Sequence, residues 1–91
     1  MRKRVTLSVF GRVQGVFYRS NVLEKAKELN LTGFVKNEPN SCVKILAEGE
    51  EENLEKLIEW AKIGPTLAKV DKIEVKWDKE QGKFDNFEIV Y

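Results

Sequence analysis

"GRVQGVFYRS", residues Gly11 to Ser20, sets two glycines four positions apart and follows them with two aromatic residues and an arginine. Its flanks say what it joins. Before it, Val5, Leu7 and Val9 alternate with Thr6 and Ser8, the period-two pattern of a half-buried strand that ends at Gly11. After it, from Ser20 to Asn30, Val22, Leu23, Ala26 and Leu29 share one helical face, with Glu24, Lys25, Lys27 and Glu28 turned to water. Ser20 or Asn21 is the expected helix cap. The decapeptide is therefore a sharp strand-to-helix turn, whose Phe17 and Tyr18 are expected to anchor it in the core.

Working outward, Asn30 and Gly33 supply helix-stop chemistry, Phe34 and Val35 open a short strand, and "NEPNS" turns the chain. Val43, Ile45 and Ala47 alternate as the returning strand, which Gly49 punctuates. Glu50, Glu51 and Glu52 suit the first turn of a second helix, and Leu54, Leu57, Ile58 and Ala61 form its apolar stripe up to Gly64-Pro65. Val70, Ile73, Val75 and Trp77 make a fourth extended run, Gly82 turns again, and Phe87, Ile89 and Tyr91 close with a last one. The order is β-α-β-β-α-β with a short C-terminal strand. It predicts one α+β domain over residues 1–91, a ferredoxin-like sandwich with two helices on one face of an antiparallel sheet. A fold of this kind hosts many functions, so the function has to come from the residues.

Composition narrows the chemistry. Sixteen basic and fifteen acidic residues leave a net charge of +1, which supplies no general attraction to nucleic acid or to an acidic membrane. Lys and Glu carry most of the charge, a bias associated with heat-adapted, thermostable proteins. No apolar run approaches the roughly 18 residues of a membrane span. Cys42 is the single cysteine, and "MRKRVTLSVF" has neither the apolar run nor the cleavage site of a signal peptide, which points to a reducing cytoplasm. No extra apolar stripe asks for a second copy, so a monomer is expected. The chain has no histidine. That excludes Ser-His-Asp and Cys-His nucleophile systems and imidazole-bound zinc, leaving carboxylates, Lys, Arg, amides and main chain.

A glycine-flanked turn entering a helix can aim several consecutive N–H groups at one point, beside the positive end of the helix dipole. Such a turn would receive a phosphate-sized anion, with Arg19 adding a planar fork of donors. It is neither a Walker loop nor the dinucleotide glycine motif. The residues alone also allow a plainer reading, in which Gly11 and Gly15 only turn the chain and Arg19 is solvated. Asn37, in "NEPN", reads on the residues alone as a turn residue.

"GRVQGVFYR" closely resembles the glycine-X-valine-glutamine-glycine-valine-X-aromatic-arginine signature of acylphosphatases. "LTGFVKN" (31 to 37) is similar to the family's second block, "GPTLAKV" (64 to 70) to its post-helix turn and "NFEIVY" to its C-terminus, so the resemblance spans nearly the whole chain. It implies hydrolysis of acyl phosphates to a carboxylate and inorganic phosphate, with no metal or cofactor. Arg19 falls on the phosphate-binding arginine and Asn37 on the asparagine that positions the attacking water. Gly15, Val16, Phe17, Tyr18 and Arg19 would offer their N–H groups to the phosphate. Where the family commonly has Asp-Gly or Lys-Gly before Ser or Thr, this chain has Asn40, Ser41 and Cys42, and Asn40 is expected to take the left-handed turn position. The Tyr91 carboxylate is a further expected partner of Arg19. Two other classes fit less well: an anion-binding module without turnover, and an RNA reader, whose basic and aromatic strand pattern is missing.

Overall fold

The computed structural model describes residues 1–91. Its elements run β1 (Arg2–Arg12), α1 (Tyr18–Glu28), β2 (Thr32–Asn37), β3 (Val43–Glu50), α2 (Glu51–Ile63), β4 (Lys69–Lys79) and β5 (Phe87–Val90). The strands make one sheet in the order β4-β1-β3-β2-β5, the ferredoxin-like α+β arrangement that the patterns imply. Every neighbouring pair is antiparallel except β2 and β5, which run parallel. The sheet is thus mixed, because alternation along Phe87 and Ile89 marks a strand without giving its direction.

Val5, Leu7 and Val9 of β1 lie opposite Ala47, Ile45 and Val43 of β3, so the two alternations put one apolar row beside another. Onto that face α1 brings Tyr18, Val22 and Ala26, and α2 brings Leu54, Leu57, Ile58 and Ala61, all buried. Fully burying side chains of the Val or Leu type contributes about 1.5–3 kcal/mol each, which makes this layer the main source of stability. On β4, Val75 and Trp77 pair with Leu7 and Val5 yet stay exposed at the sheet edge.

The opposite face has its own cover. β4 and β5 occupy opposite edges, so residues 80–86 must cross the sheet. They cross on the face turned from the helices, where Phe84 meets Phe34 edge-on at 6.0 Å between ring centroids and Arg4 lies 5.7 Å from the Phe84 ring. Glu48 is buried beneath this crossing. Arg4 Nε donates to its Oε2 at 2.7 Å, the Gln81 N–H donates to the same oxygen at 2.8 Å, and the Gly82 N–H donates to Oε1 at 3.1 Å. Burial pushes the Glu48 carboxyl up, but the Gln81 N–H, the Arg4 guanidinium and the Gly82 N–H together outweigh it and hold the group below the usual carboxylate range.

Two boundaries differ from the sequence expectation. α1 begins at Tyr18, with Phe17 as its N-cap and no side chain closing it. β3 continues through Gly49 to Glu50 and passes directly into α2. Gly49 is there for packing, since a Cβ would collide with the Leu31 side chain. The far end of α1 closes as expected: Asn30, at φ 57°, donates its N–H to Lys27 at 3.1 Å, and Leu31 donates to Ala26 at 2.9 Å, a Schellman closure built on asparagine.

Candidate active site

The register of β1 against β4 shifts between Phe10 and Gly11, a bulge that re-aims the chain into the loop. Val13 then enters the core, Val16 packs against it half-buried, and Tyr18 is fully inside. The Tyr18 hydroxyl donates to the Ala61 carbonyl at 2.8 Å and its ring lies 5.8 Å from that of Trp60. Burial pushes the Tyr18 phenol up, so it stays neutral and structural. Its side chain points away from the cleft. Only its N–H is left to serve a ligand.

Phe17 does not anchor the loop. Its ring is 71% exposed and its backbone is left-handed, with φ 64°. A left-handed conformation costs a residue with a Cβ about 1–2 kcal/mol, so something must hold it. Three donors do: the Phe17 carbonyl accepts from the Asn21 N–H at 3.1 Å, from Asn21 Nδ2 at 2.8 Å and from Ser20 Oγ at 3.1 Å. Ser20 and Asn21, expected to cap α1 by accepting from N–H groups, instead donate to a carbonyl. Gly15 has φ 74°, so φ changes sign from Gly15 to Val16 to Phe17 and again into the helix, the alternation that makes an anion-binding nest.

The result is a helix start with nothing on it. No acidic residue stands in the first turn of α1, and no protein acceptor receives the N–H groups from Gly15 to Ser20. Unsatisfied N–H groups and the helix dipole together favour an anion there. Arg19 is half-buried and forms no ion pair; its guanidinium lies 4.9 Å from the centre of the Tyr91 ring. The contact is thus with the Tyr91 ring, and the C-terminal carboxylate takes no part in it. Gly15, Phe17, Arg19, Ser20, Ile89 and Tyr91 line an open cleft of about 250 Å³. The parallel course of β5 is what brings Ile89 and Tyr91 to this end of the sheet.

Asn37 ends β2 on the face of Gly33 and Val35, toward the core. β2 and β5 pair Lys36 with Val90, so the next step along both strands sets Asn37 level with Tyr91. Asn37 is not among the residues lining the cleft, but its Oδ1 is buried and receives no hydrogen bond from the protein. A buried acceptor left unpaired costs about 1–3 kcal/mol. After Asn37 the hairpin closes through the Glu38 N–H to the Cys42 carbonyl at 2.8 Å and the Ser41 N–H to the Glu38 carbonyl at 3.1 Å. Ser41 takes the left-handed position, at φ 71°, in place of the expected Asn40. Asn40 instead folds its Oδ1 back toward the Cys42 N–H at 3.4 Å. The pattern is a three-residue hairpin loop ending in a left-handed residue.

One residue that the sequence reading left without a role ties these parts together. Gln14 Nε2 donates to the carbonyls of Glu38 at 3.0 Å and Cys42 at 2.9 Å, joining the loop to the hairpin behind Asn37. The signal was present: an amide inside a tight, half-buried loop must find partners somewhere.

A ferredoxin-like sheet whose first helix begins with unclaimed N–H groups beside an arginine defines a small α+β protein of the sandwich class. Comparison with known proteins narrows that class. The family model for acylphosphatase matches residues 5–89. The chain is 43% identical to an acylphosphatase of Methylococcus capsulatus, over 97% of this chain and 96% of that one. It is 42% identical to an acylphosphatase of Thermococcus kodakarensis, over 98% and 97%. The crystal structure of acylphosphatase from Bacillus subtilis matches with a TM-score of 0.94 at 38% identity, over 100% of both chains. The chain belongs to the acylphosphatase family, and its activity is the hydrolysis of acyl phosphates. No helix is long and apolar enough to cross a membrane.

Proposed function

We propose that the phosphoryl group of an acyl phosphate is held by Arg19 and by the N–H groups of Gly15, Val16, Phe17, Tyr18 and Arg19, while Asn37 Oδ1 accepts a hydrogen bond from the attacking water. The observation that carries this reading is the run of unclaimed N–H groups in the cleft that Arg19 shares. Asn37 supports it, because its buried oxygen needs a donor and a water molecule supplies one.

The leaving group explains how a chain without histidine does this chemistry. A mixed anhydride expels a carboxylate, whose conjugate acid has a pKa of about 4, so no protein acid is required. The water oxygen forms its bond to phosphorus as the bond to the acyl oxygen breaks, and the water's proton passes to a phosphoryl oxygen. The protein aligns the reactants and spreads transition-state charge over the guanidinium and the amides. Neither metal nor cofactor enters this scheme.

Phosphate release from acetyl phosphate in the presence of a chelator tests it. Undiminished rates, flat around neutral pH, are expected, with Asn37→Ala depressing kcat more than it changes KM. Dependence on a single Asp or Glu, or loss with the chelator, would overturn it. The same reading takes the protein as a cytoplasmic monomer without a nucleic-acid partner. Support comes from the free, buried Cys42, the near-balanced charge and the cover that Phe84 places over Phe34, the sheet aromatic an RNA reader would need. Light scattering checks the monomer and single-stranded RNA titration the lack of a nucleic-acid partner.

A further inference from the structure

Phe17 carries two burdens that do nothing for the fold. It holds a left-handed backbone that glycine or asparagine would take with less strain, and it exposes an aromatic ring that belongs to no part of the core. Three donors to its carbonyl hold the backbone in place, so the ring is rooted at the cleft rim. We infer that the Phe17 ring is the specificity-determining contact for the acyl half of the substrate, and that it favours acyl groups with a flat apolar face.

The direction of the reaction supports this assignment, which rests on the phosphate site proposed above. In-line displacement puts the leaving carboxylate on the side of phosphorus opposite the water. Asn37, whose oxygen is buried at the end of the sheet, holds the water on the inner side. The acyl group must then face the open mouth of the cleft, where Phe17 and Tyr91 are the exposed aromatic walls. The Tyr91 ring is already engaged by the Arg19 guanidinium at 4.9 Å, which leaves the Phe17 ring free. An aryl acyl group would pack on it, whereas the acetyl methyl offers little surface to it.

The test compares benzoyl phosphate with acetyl phosphate in the natural protein and in Phe17→Gly, a variant that relieves the backbone strain and so folds at least as well. The ratio of the acetyl to the benzoyl KM should fall roughly tenfold in Phe17→Gly, the loss expected from removing one aromatic packing face. Phe17→Leu should recover part of it. The inhibition constant of inorganic phosphate, which reads the phosphate site alone, should move much less than the benzoyl KM. An unchanged KM ratio, or a parallel rise of both KM values and the phosphate constant, would overturn the inference. Failure of the phosphate site itself shows separately, as an inhibition constant for phosphate that Arg19→Ala does not alter.

Discussion

At one end of the sheet the Glu48 carboxylate is received by Arg4 and by the N–H groups of Gln81 and Gly82; at the other, Arg19 and the N–H groups from Gly15 to Ser20 offer the same donor types and have no acceptor from the protein. Even the turns correspond, since Gly82 (φ 64°) and Gly15 (φ 74°) both supply the left-handed step. The difference is where the negative charge comes from. Glu48 fills the first cradle from within, and the second stays open because the first turn of α1 has no acid and its N-cap is a phenylalanine. The two sets of donors differ in whether the chain supplies its own acid to them.

The largest effect expected from breaking the comparison is on the open side. Arg19→Ala should lower kcat/KM for acetyl phosphate about 10³-fold, roughly 4 kcal/mol of transition-state stabilisation. Its thermal midpoint should hardly move, because Arg19 makes no ion pair that the fold needs. On the filled side the pattern reverses. Glu48→Gln should cost about 3 kcal/mol in urea unfolding at neutral pH, because it strips a buried pair of one partner, while kcat/KM stays near that of the natural protein. The pH dependence follows from the sign of the shift. Since the folded Glu48 carboxyl lies below its usual value, its contribution is complete above the ordinary carboxylate range and is lost as pH falls through the lowered folded value. Unfolding midpoints of the natural protein should drop over that acid range, and those of Glu48→Gln should drop less.

Smaller changes sharpen the contrast. Ser20→Glu would put an acid in the first turn of α1, as Glu51 and Glu52 already do in α2. The carboxylate should repel phosphate and raise KM by about tenfold, while its gain of roughly 0.5 kcal/mol from the helix dipole is offset by loss of the Ser20 Oγ bond to Phe17, leaving the thermal midpoint nearly unchanged, as kinetics and thermal unfolding of one preparation would show. Smallest of all, Gly82→Ala should cost about 1 kcal/mol of stability with no change in activity, whereas Gly15→Ala should cost a similar amount and also raise KM. Neither glycine has a neighbour that an added Cβ would strike, so conformation alone sets the penalty.

Much of this was readable before any coordinates. Alternation in β1, β3 and β5 and the stripes of α1 and α2 located five of the seven elements, because one-sided burial imposes a period that side chains must follow; β2 and β4 came from the apolar runs at Phe34-Val35 and Val70 to Trp77 between turn signals. The loop was legible as a strand-to-helix turn from its glycines, while the phosphate role of Arg19 came from the resemblance of the motif and not from its spacing. Phe17 was misread for a physical reason: an aromatic residue next to a buried one invites burial, and nothing local to the sequence reports a left-handed φ imposed by donors three and four residues ahead. The parallel sense of β5, the burial of Glu48 under residues 80–86 and the unpaired oxygen of Asn37 depend on contacts between distant segments. Gln14 was visible as a letter of the motif, but its two acceptors lie 24 and 28 residues away.

That glutamine has a mechanical consequence. Because one amide nitrogen grips two carbonyls of the hairpin, it acts as a gauge block between the loop and the strand end that carries Asn37. It adds a side-chain brace to the pairing of β1 with β3, so loop and hairpin are joined at the tip as well as along the strands.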